Sequence, residues 1–316
     1  MCHISKIIVA SILYVFASSV TSLAADNSAC NPYTEKEVNL IRASNNPCLI
    51  MGAGMLSLAL NPASTVGQDF LSSSERIESP KGAATATLII FELSHGSSLS
   101  SFRRTVERLL QDDKKNALPY YLKALLSQEE GRDRSALALI NMGNTIKFDG
   151  YSRQRFNSMV DAAGIVKCEG TLARQYAIAN TPITIFYVKL RHMCRKLIEN
   201  NGQEAKDACL IMGQNLQKGS LTCIEQVNSL NIQKNSLDDI PENAIARLMI
   251  VKEIDRAIAC GEERPLEIST SDISKDVDIK YYEIFFQSGE AAAQDFLVNY
   301  LNAKQKGTSQ PVEINH

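Results

Sequence analysis

Along most of this chain apolar residues recur three and four positions apart with polar residues between them, a spacing that predicts one helix after another. In the Ser101 to Gln111 segment, Phe102, Val106, Leu109 and Leu110 share one face, while Arg103, Arg104 and Arg108 fall mostly on the solvated side. Tyr151 to Cys168 repeats the pattern with Phe156, Met159, Val160, Ala163 and Val166. Thr34-Glu35-Lys36-Glu37 matches a capping box, so a short helix starts there and runs to about Ala43. Asn45-Asn46-Pro47 breaks it, and Cys48 to Leu60 resumes as an apolar, buried helix. Leu221 to Leu230 is a further helix. Asp238-Asp239-Ile240-Pro241 opens the next, with acids near the positive end of the dipole and proline in the first turn. Its apolar positions include Ile245, Leu248, Met249 and Ile258, and it runs to Cys260 with Gly261 as its cap. A last hairpin, Val277 to Gln287 and Glu290 to Ala303, turns at Ser288-Gly289.

Three stretches are ambiguous by pattern. Residues 61–82 are rich in Ser, Pro and Gly and read as a loop with one helical turn at Val66 to Leu71. Ala83 to Leu93 has a strand-like Thr85-Ala86-Thr87-Leu88-Ile89-Ile90 core, yet it lies among helical patterns and reads as a helix. Ile183 to Leu190 alternates like a strand. Phe186, Leu190, Met193 and Leu197 nevertheless continue at helical spacing, so one long helix is expected and a strand is the alternative. Asn201-Gly202 marks a turn, and Glu204 to Gln217 returns as the second arm of a hairpin. Thr171 to Ala179 reads as a short helix, 262–274 as a loop and 305–316 as a flexible tail.

The clearest unit runs from Ala117 to Phe148, two amphipathic helices joined at Gly131. Tyr120, Ala124, Gly131, Ala136, Ile140 and Gly143 have the spacing of a tetratricopeptide repeat, a helical hairpin of about 34 residues. The stretch resembles one such unit. Small residues at Ala124 and Ala136 let two backbones approach, while Tyr120 and Ile140 fill the groove beside them. Lys123 and Ser127 depart from that pattern. The expected fold is therefore all-α, an irregular tetratricopeptide-like solenoid of stacked antiparallel hairpins. The resemblance implies a protein- or peptide-binding role.

The N-terminus changes where such a fold would work. Lys6 and the amino group precede an apolar run, Ile7 to Ala17, followed by the small residues Ser22-Leu23-Ala24. This predicts a signal peptide over residues 1–24 and export to a periplasm or the cell exterior. The remaining chain divides into a helical region at 25–100, the hairpins of 101–217 and a further set at 218–304. No second apolar run is long enough to span a bilayer. With a net charge of -2, nothing calls for nucleic acid or an anionic membrane surface.

Export makes disulfides the expected state of the cysteines. Cys194 and Cys209 are symmetric about Asn201-Gly202, and Cys223 and Cys260 about Pro241, so each pair meets across an antiparallel hairpin. Cys30 and Cys48 flank the first helix, which leaves Cys168 as a free thiol. A competing scheme joins Cys168 to Cys194 across Thr181-Pro182.

Catalytic chemistry is sparse. His192, Cys194 and Cys209 would give three zinc ligands but no fourth, so no metal or other cofactor is expected. His95-Gly96-Ser97-Ser98 reads as a polar turn, and the pairs Glu129-Glu130 and Asp238-Asp239 as solvated helix ends. Tyr120 and Tyr121 are the candidate lining of a groove. The function expected is an exported, non-enzymatic module that binds an unidentified protein or peptide. The alternative is an enzyme or enzyme-associated subunit acting on cell-wall glycans, which would need a buried acid in a cleft.

Overall fold

The protein is described by a computed structural model covering residues 33–95, 99–166, 184–238, 240–262 and 275–305. The signal segment, Cys30, the Gly96-Ser97-Ser98 turn, Cys168, the 171–179 helix, Asp239, the 263–274 loop and the 306–316 tail lie outside these residues. The described residues form thirteen α-helices and no strand, which makes the fold all-α. They divide into two compact units.

The first unit comprises the described residues of 33–77 and 155–166. α1 (Glu35–Ala43) starts at the expected capping box, with Thr34 and Glu37 satisfying each other's backbone donors. Asn46 does more than break the chain. Its side chain caps α2 (Pro47–Leu60), accepting from the Cys48 and Leu49 amides.

α3 (Thr65–Ile77) corrects the expected loop. Ser64 caps it, and Gly67, Phe70, Leu71 and Ser74 are buried at helical spacing. Two of those four positions are small, so hydropathy alone barely registers the face. The small residues are there because α2 and α3 nearly touch: a Cβ on Gly54 would lie 3.0 Å from the Gly67 carbonyl oxygen. Two residues earlier, Gly52 faces α8 (Ser152–Ile165), where an added Cβ would fall 1.8 Å from the Ser158 carbonyl oxygen. Ile41, Ile50, Ala53, Phe70 and Ala162 form the core between these helices, and the Tyr33 hydroxyl donates to the Ala162 carbonyl.

The second unit comprises the described residues of 78–154 and 184–305. α4 (Ala83–His95) is a helix despite its strand-like composition. The buried Glu78 carboxylate accepts from the Gly82, Ala84 and Thr85 amides and the Thr85 hydroxyl, satisfying the donors that open the helix. Thr87 donates back to the Ala83 carbonyl, which disposes of the hydroxyl inside the core. α5 (Leu99–Asp112) packs on α4 and on α6 (Ala117–Glu129), and α6 pairs with α7 (Asp133–Asn144) across the Gly131 turn. The open ends of the α6–α7 hairpin are tied by Asn116. It caps α6 at Leu118 and exchanges two hydrogen bonds with the Asp149 backbone.

α9 (Thr184–Gly219) is helical through the ambiguous 184–190 stretch and breaks at Gly202, whose φ of 59° suits glycine. Cys194 and Cys209 show what the break does. In an uninterrupted helix they would be about 22 Å apart along the axis; their Cα atoms are 5.9 Å apart and their sulfurs bonded. The chain therefore doubles back. The returning arm packs on α10 (Cys223–Ser236), which pairs with α11 (Ala244–Glu262) after a 3-10 turn at Pro241–Asn243. α12 (Lys275–Ser288) and α13 (Glu290–Gln305) close the chain as a hairpin turning at Gly289.

Candidate functional site

The predicted pairings Cys194–Cys209 and Cys223–Cys260 are both disulfides, the second with Cα atoms 6.1 Å apart. The first takes the sulfurs out of the His192–Cys194–Cys209 ligand set. It also removes Cys194 from the competing scheme with Cys168. Cys48 is exposed at the start of α2, and its expected partner Cys30 is not among the described residues. His192 lies exposed on α9, its pKa lowered by partial burial and by the nearby Lys196, Arg195 and Lys189.

Among the described residues, Cys223, Cys260 and Glu290 are grouped closely enough to hold an ion. The two sulfurs are already bonded to each other, and Glu290 accepts the Cys223 amide at 2.9 Å. Among the buried carboxylates of the described residues, Glu75 on α3 keeps an Oε1 that makes no hydrogen bond, while three others work as backbone acceptors, Glu290 being one. Glu78 caps α4, and Glu225 completes the capping box that opens α10. Neither acidic pair is wholly solvated. Glu130 is held by Arg103 of α5 and by Arg132 just before α7, and Asp238 by Lys206 of α9.

Tyr120 and Tyr121, expected to line a groove, are part of the packed interior. The Tyr121 ring stacks on Phe148, which stacks on Phe186 in turn. The Tyr121 hydroxyl donates to Asn144 and accepts from Asn215, and burial pushes its pKa well above the ordinary phenol value. Asn215 also donates to the Ile146 carbonyl, which knits α9 to the α6–α7 hairpin. A Cβ on Gly143 would lie 2.6 Å from the Tyr121 ring, so the glycine is what admits that ring. For Tyr121 the sequence could not separate a groove from an interior, because α9, whose Asn215 meets its hydroxyl, lies more than sixty residues further on; Tyr120 packs beside Gly143 within its own hairpin.

What the molecule does expose is one face of α11. Ile245, Leu248 and Met249 are 75%, 55% and 59% exposed, with Ile240 beside them at 45%. Half a helical turn away, Ile254 and Ala257 are buried. α11 is thus apolar on opposite sides, a pattern ordinarily found in helices covered all round. The helix is firmly seated. Its far end is tied to α10 by Cys223–Cys260, Arg247 donates to the Leu237 carbonyl, and Glu253 accepts from Gln217 of α9. Exposed Leu40, Met142 and Val298, by contrast, stand singly on their helices, and of its large apolar residues α9 exposes only Val188 and Ile211, one on each arm, which is ordinary for a protein surface. The sequence does carry a signal for this face, since apolar residues lie on both sides of the α11 wheel.

No described helix is long and apolar enough to cross a membrane. The chain matches no family model, no curated protein and no solved structure.

Proposed function

We propose that this protein is an exported, non-enzymatic module that binds another protein or a peptide, and that the outward face of α11 is its binding surface. The observation that carries this reading is the cluster of Ile240, Ile245, Leu248 and Met249 on a disulfide-tied helix. Contiguous exposed apolar side chains on a well-anchored element mark interaction sites. The tetratricopeptide-like build belongs to the same proposal, supported by the burial of Ala124, Ala136 and Ile140 where α6 meets α7. Two disulfides and the apolar N-terminal segment support export.

The test is a photo-reactive residue at Leu248, with Gln214 on α9 as the exposed control. In the compartment the protein reaches, a discrete protein adduct is expected from position 248 and none from 214. No adduct, or the same adducts from both sites, would remove the assignment.

A further inference from the structure

We propose that the partner on the α11 face is a second copy of this chain, docked antiparallel about a two-fold axis near Leu248 and Met249. The inference rests on the choice of face made above and deepens it. Ile245, Leu248, Met249, Lys252 and Arg256 fall within about 100° of the α11 wheel, and Leu248, Met249, Lys252 and Arg256 are all exposed. Glu242, exposed in the 3-10 turn, precedes them on the same side. The stripe therefore reads acid, apolar centre, base.

None of Glu242, Lys252 and Arg256 has an ion-pair partner among the described residues. A two-fold interface must be complementary to itself, and this stripe is. Turned end for end, it sets Glu242 against Arg256 of the other copy and Leu248 against Met249. Ile245 then meets the aliphatic stem of Lys252, whose ammonium reaches water past it. A parallel arrangement would put like charges together at both ends. The patch is small, four large apolar side chains where a standard interface engages about 20–30 residues a side. The dimer is accordingly weak and reversible.

Sedimentation of the mature chain from about 1 µM to 1 mM reads this directly. A reversible monomer–dimer equilibrium is expected, with the dimer lost in Leu248→Asp. That side chain is 55% exposed, so the fold is not at stake. Glu242→Arg alters both symmetry-related pairs at once and should raise the dissociation constant about tenfold, about 0.7 kcal/mol per exposed pair, and Arg256→Glu added to it should restore the original value. Met249→Cys should form an inter-chain disulfide faster than Ile211→Cys.

A monomer throughout, a dimer indifferent to Leu248→Asp, or a double variant no better than Glu242→Arg alone would overturn the inference. If the protein stays monomeric while position 248 still cross-links to a different protein, the self-association fails and the binding-module reading stands. If neither occurs, both fail.

Discussion

Gly52 and Gly164 show how one residue type takes opposite roles. A Cβ at Gly52 would strike the Ser158 backbone, which cannot move aside as a side chain can, whereas nothing lies within 4 Å of a Cβ at Gly164. Gly52→Ala is therefore expected to destabilise by about 2 kcal/mol or more, overpacking outweighing the gain in helix propensity. Gly164→Ala should stabilise by ~0.5–1 kcal/mol, and denaturant melts of the two variants check both signs.

A second residue-scale prediction concerns Glu130, held by Arg103 and Arg132. The Arg103 hydrogen bond, then that of Arg132, lowers its pKa below the ordinary 4.5. The Glu130 side chain is 16% exposed, with a guanidinium on each carboxylate oxygen. A depressed folded pKa means the stabilisation is present above the unfolded value and is lost as pH falls through the folded one. The melting-temperature difference between the wild type and Glu130→Gln should hold at neutral pH and vanish as the solution is acidified below 4.5.

At the scale of elements, the same hairpin rule explains both disulfides. Antiparallel arms bring residues equidistant from a turn side by side, so the position of the Gly202 break predicts the Cys194–Cys209 bond. Its 15-residue separation implies about 3 kcal/mol from restriction of the unfolded chain. Replacing both cysteines by serine should cost about that much, and peptide mapping without reductant should recover 194 linked to 209 and 223 linked to 260.

Two elements were less legible. α3 hides its buried face behind Gly67 and Ser74, and α4 looks like a strand by composition. The first is helical because α2 comes close enough to require small residues. The second is helical because Glu78 satisfies its opening amides and Thr87 bonds back to the preceding turn. Neither reason lies in the hydropathy of the segment itself.

At the scale of the molecule, the two compact units are not consecutive stretches of chain, since residues 155–166 join the first unit after 78–154 have entered the second, to which 184–305 return. The regions read along the sequence at 25–100, 101–217 and 218–304 follow chain order, whereas contacts follow space. Export is tested at this scale too. Expression in a secreting host should give a mature protein whose first residue is Ala25, read by terminal sequencing. A mature chain that keeps the Ile7 to Ala17 run would remove the signal assignment.

The amino-acid sequence by itself determined the helices with strong periodicity, the Thr34 capping box and the turns at Gly131, Gly202 and Gly289, and it favoured the two cysteine pairings over the rival Cys168–Cys194 scheme. All of these depend on residues near one another in the chain, where helix period and turn symmetry are read directly. The tertiary structure decided which apolar surfaces are covered. Tyr121 is interior where a helix from far along the chain meets it, while Tyr120 packs against Gly143 of its own hairpin. Ile245, Leu248 and Met249 face outward because α10 takes only one of α11's two apolar sides. Both sides look alike in a periodic pattern, since periodicity records that a face is apolar and carries no information about what meets it.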